Sequence, residues 1–299
     1  MKLDEDGGAN AGSSRSIKAR LKRLFPSVID LTHNPVGKLL LRSTDIIPKL
    51  IWREFRKLPP NHLRVRVGVG KRLFTNQIMY LTHGYDLWMY AIAQGYVSFN
   101  SNIVEIGCGC GRRSHIMRDY GFYNDRYTGK YLAVDIDREA VQWDRRHFDG
   151  RFEFVVSSQT SESYRVNNQE GEEPFRIPAG DGSIDFMFGT SLLTHLLEDD
   201  MKEYFREGSR LLKPGRKMMM SCYCVDSLSD VAKQRFTFRH RKGNSYVQNL
   251  RAPESAVAYE SAFLVNAARE AGFASVEVLH EPSTLQSMLV ATQQDAGRD

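Results

Sequence analysis

The chain beyond Ser101 alternates short apolar runs rich in β-forming residues with segments of helical periodicity. Such alternation is typical of a parallel β-sheet covered by helices on both faces. The last two apolar runs are joined by a connection too short for a crossover helix, so we expect them to pair antiparallel. The sequence therefore predicts an α/β, Rossmann-like, seven-stranded, mostly parallel sheet with an antiparallel last strand. The predicted strands are residues 102–106, 131–135, 152–156, 184–189, 217–224, 274–280 and 286–291.

The region before this sheet differs in charge and in pattern. We predict a disordered tail over residues 1–15, a basic helical appendage over 16–73 and the sheet domain over 74–299. The net charge of the whole chain is only +5, but the excess of Lys and Arg lies in the appendage. An anionic membrane surface would suit such a segment, whereas a solvated basic face is the simpler interpretation.

Composition excludes several classes of protein. No apolar run has the length of a signal peptide or a membrane span, so we expect a cytoplasmic protein, with peripheral membrane association as an option. The four cysteines form two Cys-x-Cys pairs. These are too sparse for a disulfide framework and too closely spaced for structural zinc, so we expect reduced thiols and no bound metal.

A glycine-rich turn follows the first predicted strand, in the segment VEIGCGCGR that contains Glu105, Gly107, Cys108, Gly109 and Gly111. Because glycines lack side chains, a ligand can approach the backbone closely there, which indicates a nucleotide-like cofactor. A nicotinamide dinucleotide favours Gly-x-Gly-x-x-Gly, whereas here the third glycine comes one place early. The acid at Glu105 suits an ammonium group better than a pyrophosphate.

The second predicted strand ends in Asp135, which Ile136 and Asp137 follow. A carboxylate at this place can accept hydrogen bonds from both ribose hydroxyls of an adenosine, and Ile136 would then pack against the adenine. A simple turn acid is the alternative for Asp135. Asp137 is predicted to cap the next helix.

In combination these motifs resemble those of class I S-adenosylmethionine-dependent methyltransferases. The resemblance extends over about residues 64–292 and rests on VEIGCGCGR, YLAVDID, SIDFMFGTSLLTHL and RLLKPGRKMMM. It implies methyl transfer with S-adenosyl-L-methionine as the cofactor. The cofactor-binding residues that we predict are Arg66, Glu105, Gly107, Cys108, Gly109, Gly111, Asp135, Ile136, Ser158, Gly189 and Thr190.

Two of these assignments have alternatives. Ser157-Ser158 stands where relatives commonly have an acid for the adenine amino group, so a hydroxyl or a backbone group would replace that acid. Arg66 is assigned to the cofactor carboxylate by its position upstream of the glycine turn, and a purely structural role is the other interpretation.

A narrower resemblance is to a bacterial branch that modifies glycans, lipids or secondary metabolites, which implies a hydroxyl acceptor in a small molecule, sugar or glycolipid. His195 follows the fourth strand, at the sheet edge where ligands of this fold collect, and histidine suits a general base near neutral pH. Packing beneath the cofactor turn is the alternative for His195. Tyr223 and Asp226 are candidates for the acceptor pocket or the core, and His240 lies in a basic loop that suits an anionic substrate or plain solvent.

Three other functions compete with this hypothesis. A nucleic-acid methyltransferase could use the basic appendage, but the region after Asp185 lacks the Asn/Asp-Pro-Pro-aromatic motif of base amino methylation, so we expect no nucleic-acid partner. A non-catalytic protein that binds the cofactor is the second alternative, because a fold does not fix a function. A dehydrogenase is disfavoured by the glycine spacing.

Overall fold

The structure is a computed structural model that describes residues 28–68, 73–119, 126–157, 176–295 and 297. The predicted tail and Ser158 lie outside these residues. By its internal contacts the chain divides into a unit Met1–Tyr80 and a unit Leu81–Asp299. The division falls within helix α5, Gln77–Ala93, which crosses from one unit into the other. The domain boundaries predicted above stay predictions.

The first unit is made of short helices, which confirms the predicted helical appendage. An asparagine side chain starts α2, since Asn34 Oδ1 accepts the backbone N–H groups of Val36 and Gly37. A buried ion pair of 2.6 Å joins Asp45 to Arg64, and Asp45 also accepts the N–H of Asn61 at 2.8 Å. The helices before α5 are α1 Val28–His33, α2 Pro35–Ser43, α3 Ile46–Ile51 and α4 Asn61–Arg66, with a 3-10 turn at Arg53–Lys57.

The second unit contains a seven-stranded sheet, which confirms the predicted fold class. Its spatial order is β3-β2-β1-β4-β5-β10-β9. β10 is antiparallel to both of its neighbours, and the other paired strands are parallel. The strands are β1 Ile103–Ile106, β2 Tyr131–Asp135, β3 Phe152–Val156, β4 Ile184–Gly189, β5 Leu212–Cys222, β9 Phe273–Leu279 and β10 Ser287–Gln293.

Helices cover both faces of this sheet. Side chains alternate along a strand, so Val104 and Ile106 join one buried cluster with residues of α8, whereas Ile103 joins another with Trp88 and Ile116. The helices of the second unit are the rest of α5, α6 Arg112–Asp119, α7 Arg138–His147, α8 Glu198–Leu211, α9 Asp230–Lys233 and α10 Ser261–Glu270, with 3-10 turns at Leu193–His195 and Pro253–Ser255.

A second, three-stranded sheet lies in the region that the sequence pattern left as loop. It has the order β6-β7-β8 and is built from β6 His240–Lys242, β7 Ser245–Val247 and β8 Val257–Ala258. Strands of two or three residues are too short to give a readable alternation of apolar and polar residues. Of the helices in the described part of the chain, none has both the length and the apolar character needed to cross a membrane.

Candidate functional site

The glycine turn begins at the carboxyl end of β1 and leads into α6. Gly107, Gly109 and Gly111 all have positive φ, of 73°, 56° and 68°, which side chains other than glycine adopt only with strain. The N–H of Gly107 donates to the carbonyl of Val134 at 2.8 Å, so the turn stays attached to β2 as it leaves the sheet. The turn thus exposes backbone rather than side chains at this edge of the sheet.

Asp135 is bonded directly to this turn. Its Oδ2 accepts the N–H of Gly109 at 2.6 Å and its Oδ1 accepts the N–H of Asp137 at 2.8 Å. Burial raises the pKa of Asp135 from 3.8 to about 6, although these backbone donors favour its charged form. A carboxylate has about four acceptor sites, so both oxygens retain lone pairs for further donors.

Glu105 lies inside the sheet domain, with only 2% of its surface exposed. The hydroxyls of Ser114 and Tyr131 both donate to its Oε2, each at 2.8 Å. Both bonds go to the same oxygen, so neither uses the lone pairs of Oε1. Burial raises the pKa of Glu105, and the bonds from Tyr131 and Ser114 oppose that shift.

Arg113, in the first turn of α6, is a second buried charge and was not predicted from the sequence. It is 8% exposed, and its Nε and Nη1 are buried without a hydrogen-bond partner in the described part of the chain. Burial lowers its pKa to about 10, while the charges of Glu105 and Asp86 oppose that shift. A guanidinium that gives up water without gaining partners is costly, which makes Arg113 a candidate for binding an anionic group.

The remaining predicted cofactor residues have varied surroundings. Cys108 is buried, and Ile136 and Thr190 are half-buried. Gly189 is tightly packed, because an added Cβ would lie 2.8 Å from the sulfur of Met220 and 3.2 Å from the carbonyl oxygen of Ile106. Its lack of a side chain therefore serves the packing of β4 between β1 and β5.

Arg66 belongs to the first unit, at the end of α4. Its Nη2 donates to the backbone carbonyl of Thr32 at 2.9 Å. This bond supports the structural interpretation of Arg66, and its role at the cofactor carboxylate stays a prediction.

His195 is held by a backbone carbonyl. Its Nδ1 lies 2.8 Å from the carbonyl oxygen of Glu254. Because a carbonyl only accepts, Nδ1 carries the proton, and in the neutral ring Nε2 holds the lone pair. Burial lowers the pKa of His195, which keeps the ring neutral at physiological pH. The side chain is therefore in the chemical state that a general base needs.

A polar network connects the ends of three neighbouring strands. Ser191, just beyond β4, has a φ of 57°, which is rare for a residue with a side chain. Its N–H donates to Ser221 Oγ at 2.6 Å, and Ser221 Oγ donates to Gln286 Oε1 at 2.7 Å. Strained residues held in this way concentrate at functional sites.

A cavity of about 290 Å³ lies beside this network. Tyr223 and Cys224 after β5, the segment 227–230 and the β9–β10 connection form its walls. Gln286 lines the cavity, and its side chain is hydrogen-bonded to Ser191. Leu192, which follows Ser191 in the chain, packs next to Gly107: a Cβ added to Gly107 would lie 3.5 Å from the Leu192 side chain. The Gln286 side chain thus links the cavity to the Ser191–Leu192 segment, which lies next to the glycine turn. His195 is not part of its lining among the described residues.

These residues differ in how readily they can be predicted from the sequence. Arg113 directly follows the glycine motif and could have been considered from its position. Ser191 and Gln286 are 95 residues apart in the chain, and their contact has no local sequence pattern. Two of the three further candidates from the sequence lie at or next to the cavity: Tyr223 lines it, and Asp226, which accepts the N–H of Ser261, is adjacent in sequence to Ser227 in its lining. His240 is exposed in β6.

Comparison with known proteins identifies this domain. Residues 104–220, less than half of the chain, match the family described as "Methyltransferase domain". The match includes the glycine turn, Asp135 and His195. A curated protein, the malonyl-[acyl-carrier protein] O-methyltransferase of Hahella chejuensis, is 23% identical over 130 residues, which are 44% of this chain and 39% of that protein. The chain thus spans about two fifths of the length of this relative.

Similar folds occur among solved structures. A SAM-dependent methyltransferase of Methanosarcina mazei has 18% identity and a TM-score of 0.46, with 69% of this chain and 99% of that chain covered. A SAM-dependent methyltransferase of Aquifex aeolicus has 17% identity and a TM-score of 0.45, with 74% and 95% covered.

The matched segment resembles a methyltransferase domain, and the seven-stranded sheet is the one that this resemblance predicts. The predicted resemblance is confirmed at this level, as is S-adenosyl-L-methionine as the cofactor. The narrower bacterial branch is not confirmed.

Proposed function

We propose that this chain is an S-adenosylmethionine-dependent methyltransferase that methylates a hydroxyl oxygen of a sugar, glycolipid or other small metabolite. The observation that carries the proposal is the bond between Asp135 and Gly109 at the carboxyl ends of β1 and β2, within the matched domain. When bound, the cofactor supplies a methyl group on a positively charged sulfur. The protein's task is then to hold cofactor and acceptor in line and to receive the acceptor proton.

The buried charges near β1 fit the amino-acid end of this cofactor. That end is a zwitterion, with an ammonium and a carboxylate. Glu105 offers the lone pairs of Oε1 to the ammonium, and Arg113 offers its unpartnered N–H groups to the carboxylate. The N-terminus of α6, which begins at Arg112, also favours an anion. Glu105 was predicted from the sequence, and Arg113 replaces Arg66 as our proposed carboxylate ligand.

Arg113 can be tested with a cofactor analogue that lacks the carboxylate. We expect the wild type to bind S-adenosylhomocysteine about 10- to 100-fold more tightly than its decarboxylated analogue in calorimetry, because a charge-assisted bond is lost. Arg113→Met should abolish this preference, and Arg113→Lys should retain part of it. Arg118→Met is the matched control on the same helix, since Arg118 already bonds Asp119.

Equal weakening of both ligands in Arg113→Met would indicate a structural role and would refute the carboxylate assignment. Failure of the wild type to bind either ligand would instead refute the cofactor site itself. The methionine side chain is similar in length and removes a guanidinium whose Nε and Nη1 are unpartnered among the described residues, so the variant is expected to fold.

The cavity beside β5 is the proposed acceptor site. Its lining includes the uncharged polar side chains of Tyr223, Ser227 and Gln286. Its single lysine, Lys233, lies 3.5 Å from Asp230, and Glu281 adds a further acid. A phosphate or a nucleic-acid backbone needs an excess of cations, so this lining favours a neutral hydroxylated acceptor.

His195 is the proposed base that receives the hydroxyl proton. It does not line the cavity among the described residues, so the acceptor hydroxyl would extend out of the cavity to reach it. An oxygen acceptor agrees with the name of the Hahella chejuensis relative, which is an O-methyltransferase. The donor bond from Nδ1 to Glu254 sets the tautomer in which Nε2 can take a proton. No covalent step is needed on the protein.

Formation of S-adenosylhomocysteine tests this function directly. We expect product with hydroxyl-bearing sugars, glycolipids or metabolites, and His195→Gln should lower kcat about 100- to 10,000-fold without changing the affinity for S-adenosylhomocysteine. His147→Gln is the matched control, because His147 is an exposed histidine whose Nδ1 also bonds a backbone carbonyl. If Tyr223→Phe lowers kcat and His195→Gln does not, the cavity wall positions the acceptor and His195 is not the base. Turnover with amine acceptors alone would contradict oxygen methylation.

A further inference from the structure

The first unit exposes an unusual number of large apolar side chains. We call these residues the α2–α3 surface: Val36, Leu39, Leu40, Ile46, Ile47, Leu50, Ile51 and Trp52, with exposed fractions between 47% and 71%. Helix α3 buries none of its residues, and α2 buries only Gly37 and Leu41. Apolar side chains concentrated in so short a segment mark a surface that binds a membrane or another molecule.

This surface is held in place by a buried polar network on its inner side. Asp45, between α2 and α3, pairs with Arg64 at 2.6 Å. The neighbouring Thr44 accepts a hydrogen bond of 2.7 Å from the side-chain amide of Asn61, which belongs to α4. Buried, fully bonded polar groups favour a single arrangement of the elements they join. The apolar residues are therefore displayed by a defined structure rather than by a loose segment.

Cations accompany the apolar residues. Arg42, Arg53, Arg56 and Lys57 are exposed in the same segment, and Glu54 is the only exposed acid in it. The other acid, Asp45, is buried in its ion pair and does not offset these charges. Trp52, half exposed at the end of α3, is a residue type that favours the boundary between water and lipid.

We propose that the α2–α3 surface docks onto an anionic phospholipid bilayer. The apolar side chains enter the boundary between headgroups and acyl chains, and the flanking cations contact lipid phosphates, as in interfacial amphipathic helices. A binding surface for a protein would not require this excess of cations around the apolar residues. The inference does not depend on methyl transfer.

Vesicle flotation with the full chain tests the proposal. We expect the protein to float with vesicles of mixed phosphatidylcholine and phosphatidylglycerol, to bind pure phosphatidylcholine vesicles more weakly, and to detach with added salt. The double variant Ile47→Asn, Ile51→Asn should bind about 10-fold more weakly or worse. Leu250→Asn is the matched control, because Leu250 is 61% exposed in the other unit.

The charges are tested separately. Arg53→Gln with Lys57→Gln should weaken binding to the mixed vesicles about 10- to 30-fold, since each cation near an anionic surface contributes about 1 kcal/mol. Lys233→Gln, which removes an exposed lysine of the second unit, should have no such effect.

Brominated lipids provide a test specific to position. Bromine in the upper acyl chain should quench the fluorescence of Trp52. Trp52→Phe should remove this quenching, because Trp88 is fully buried and Trp143, on α7, belongs to the second unit. Absence of flotation with the mixed vesicles would refute the proposal. The proposal would also be refuted if light scattering showed a stable dimer that the variant Ile47→Asn, Ile51→Asn converts to a monomer. The surface would then serve association between copies of this chain.

Discussion

Asp135 shows how burial changes the chemistry of one residue. Its carboxylate accepts two backbone N–H groups, which favour the charged form, yet burial is the larger influence and raises its pKa to about 6. Between pH 3.8 and about 6 the carboxyl group of Asp135 is therefore protonated in the folded chain, whereas it is ionised in the unfolded chain. Across that range the contribution of Asp135 to stability falls as the pH rises.

The raised pKa of Asp135 predicts a pH dependence of cofactor binding. Only the charged carboxylate accepts both ribose hydroxyls, so the affinity for S-adenosylhomocysteine should fall as the pH drops through about 6, by about tenfold per unit at the steepest. Calorimetry across this range measures the effect. Asp135→Asn should bind weakly with no inflection there, and His195→Gln should retain the inflection. An unchanged profile in Asp135→Asn would assign the titration to another group.

Glu105 and Arg113 illustrate different limits of prediction at this scale. Glu105 could be predicted because it stands just before the glycine motif, and its negative charge suggests the cofactor ammonium as its partner. Arg113 has the same charge as its neighbour Arg112, and only burial without partners distinguishes it.

At the scale of elements, the glycine turn depends on helix α7 beneath it. A Cβ on Gly111 would lie 2.8 Å from Asp144 Oδ1 and 3.1 Å from the ring of Phe148. Asp144 is fully buried, and neither of its oxygens has a hydrogen-bond partner among the described residues. The third glycine of the motif is thus required by the contact between the turn and α7, in addition to its positive φ.

Two glycine substitutions separate these requirements. Gly182 has a φ of 57° and no atom within 4 Å of an added Cβ, so Gly182→Ala should cost only the strain of the backbone, about 1 kcal/mol. Gly111→Ala adds the contacts with α7 and should lower the free energy of unfolding by about 2–4 kcal/mol. Chemical denaturation measures both. Equal losses of unfolding free energy in the two variants would show that α7 can shift to accommodate the extra methyl group without cost.

Elements with a strong pattern were predicted well. The strands β2, β3 and β4 have the predicted bounds, because each is a short run rich in apolar residues between turn signals. β5 begins at Leu212 rather than residue 217, since its pairing with Ile184 draws the Lys213–Gly215 turn into the strand. The three short strands β6 to β8 depend on pairing between distant residues and had no local pattern.

At the scale of the whole molecule, the order of the strands decides which residues can cooperate. β1, β4 and β5 are neighbours in the sheet, although β4 and β5 come much later in the chain than β1. Their carboxyl ends therefore place the glycine turn, Ser191 and Tyr223 side by side. Because β4 lies between β1 and β5 and neighbouring strands are about 4.8 Å apart, the proposed cofactor site and the proposed acceptor site are about 10 Å apart, a distance that the two bound molecules would span.

The sequence alone determined the sheet, its antiparallel last strand, the glycine turn and the cofactor, because these depend on local periodicity, on residues without side chains and on acids at strand ends. The tertiary structure decided the features that depend on burial and on distant contacts. Examples are the unpartnered guanidinium of Arg113, the strained Ser191 bonded through Ser221 to Gln286, and the apolar residues of the α2–α3 surface left in water. Apolar residues at helical spacing give the same pattern whether a helix is covered or exposed, and only packing distinguishes the two.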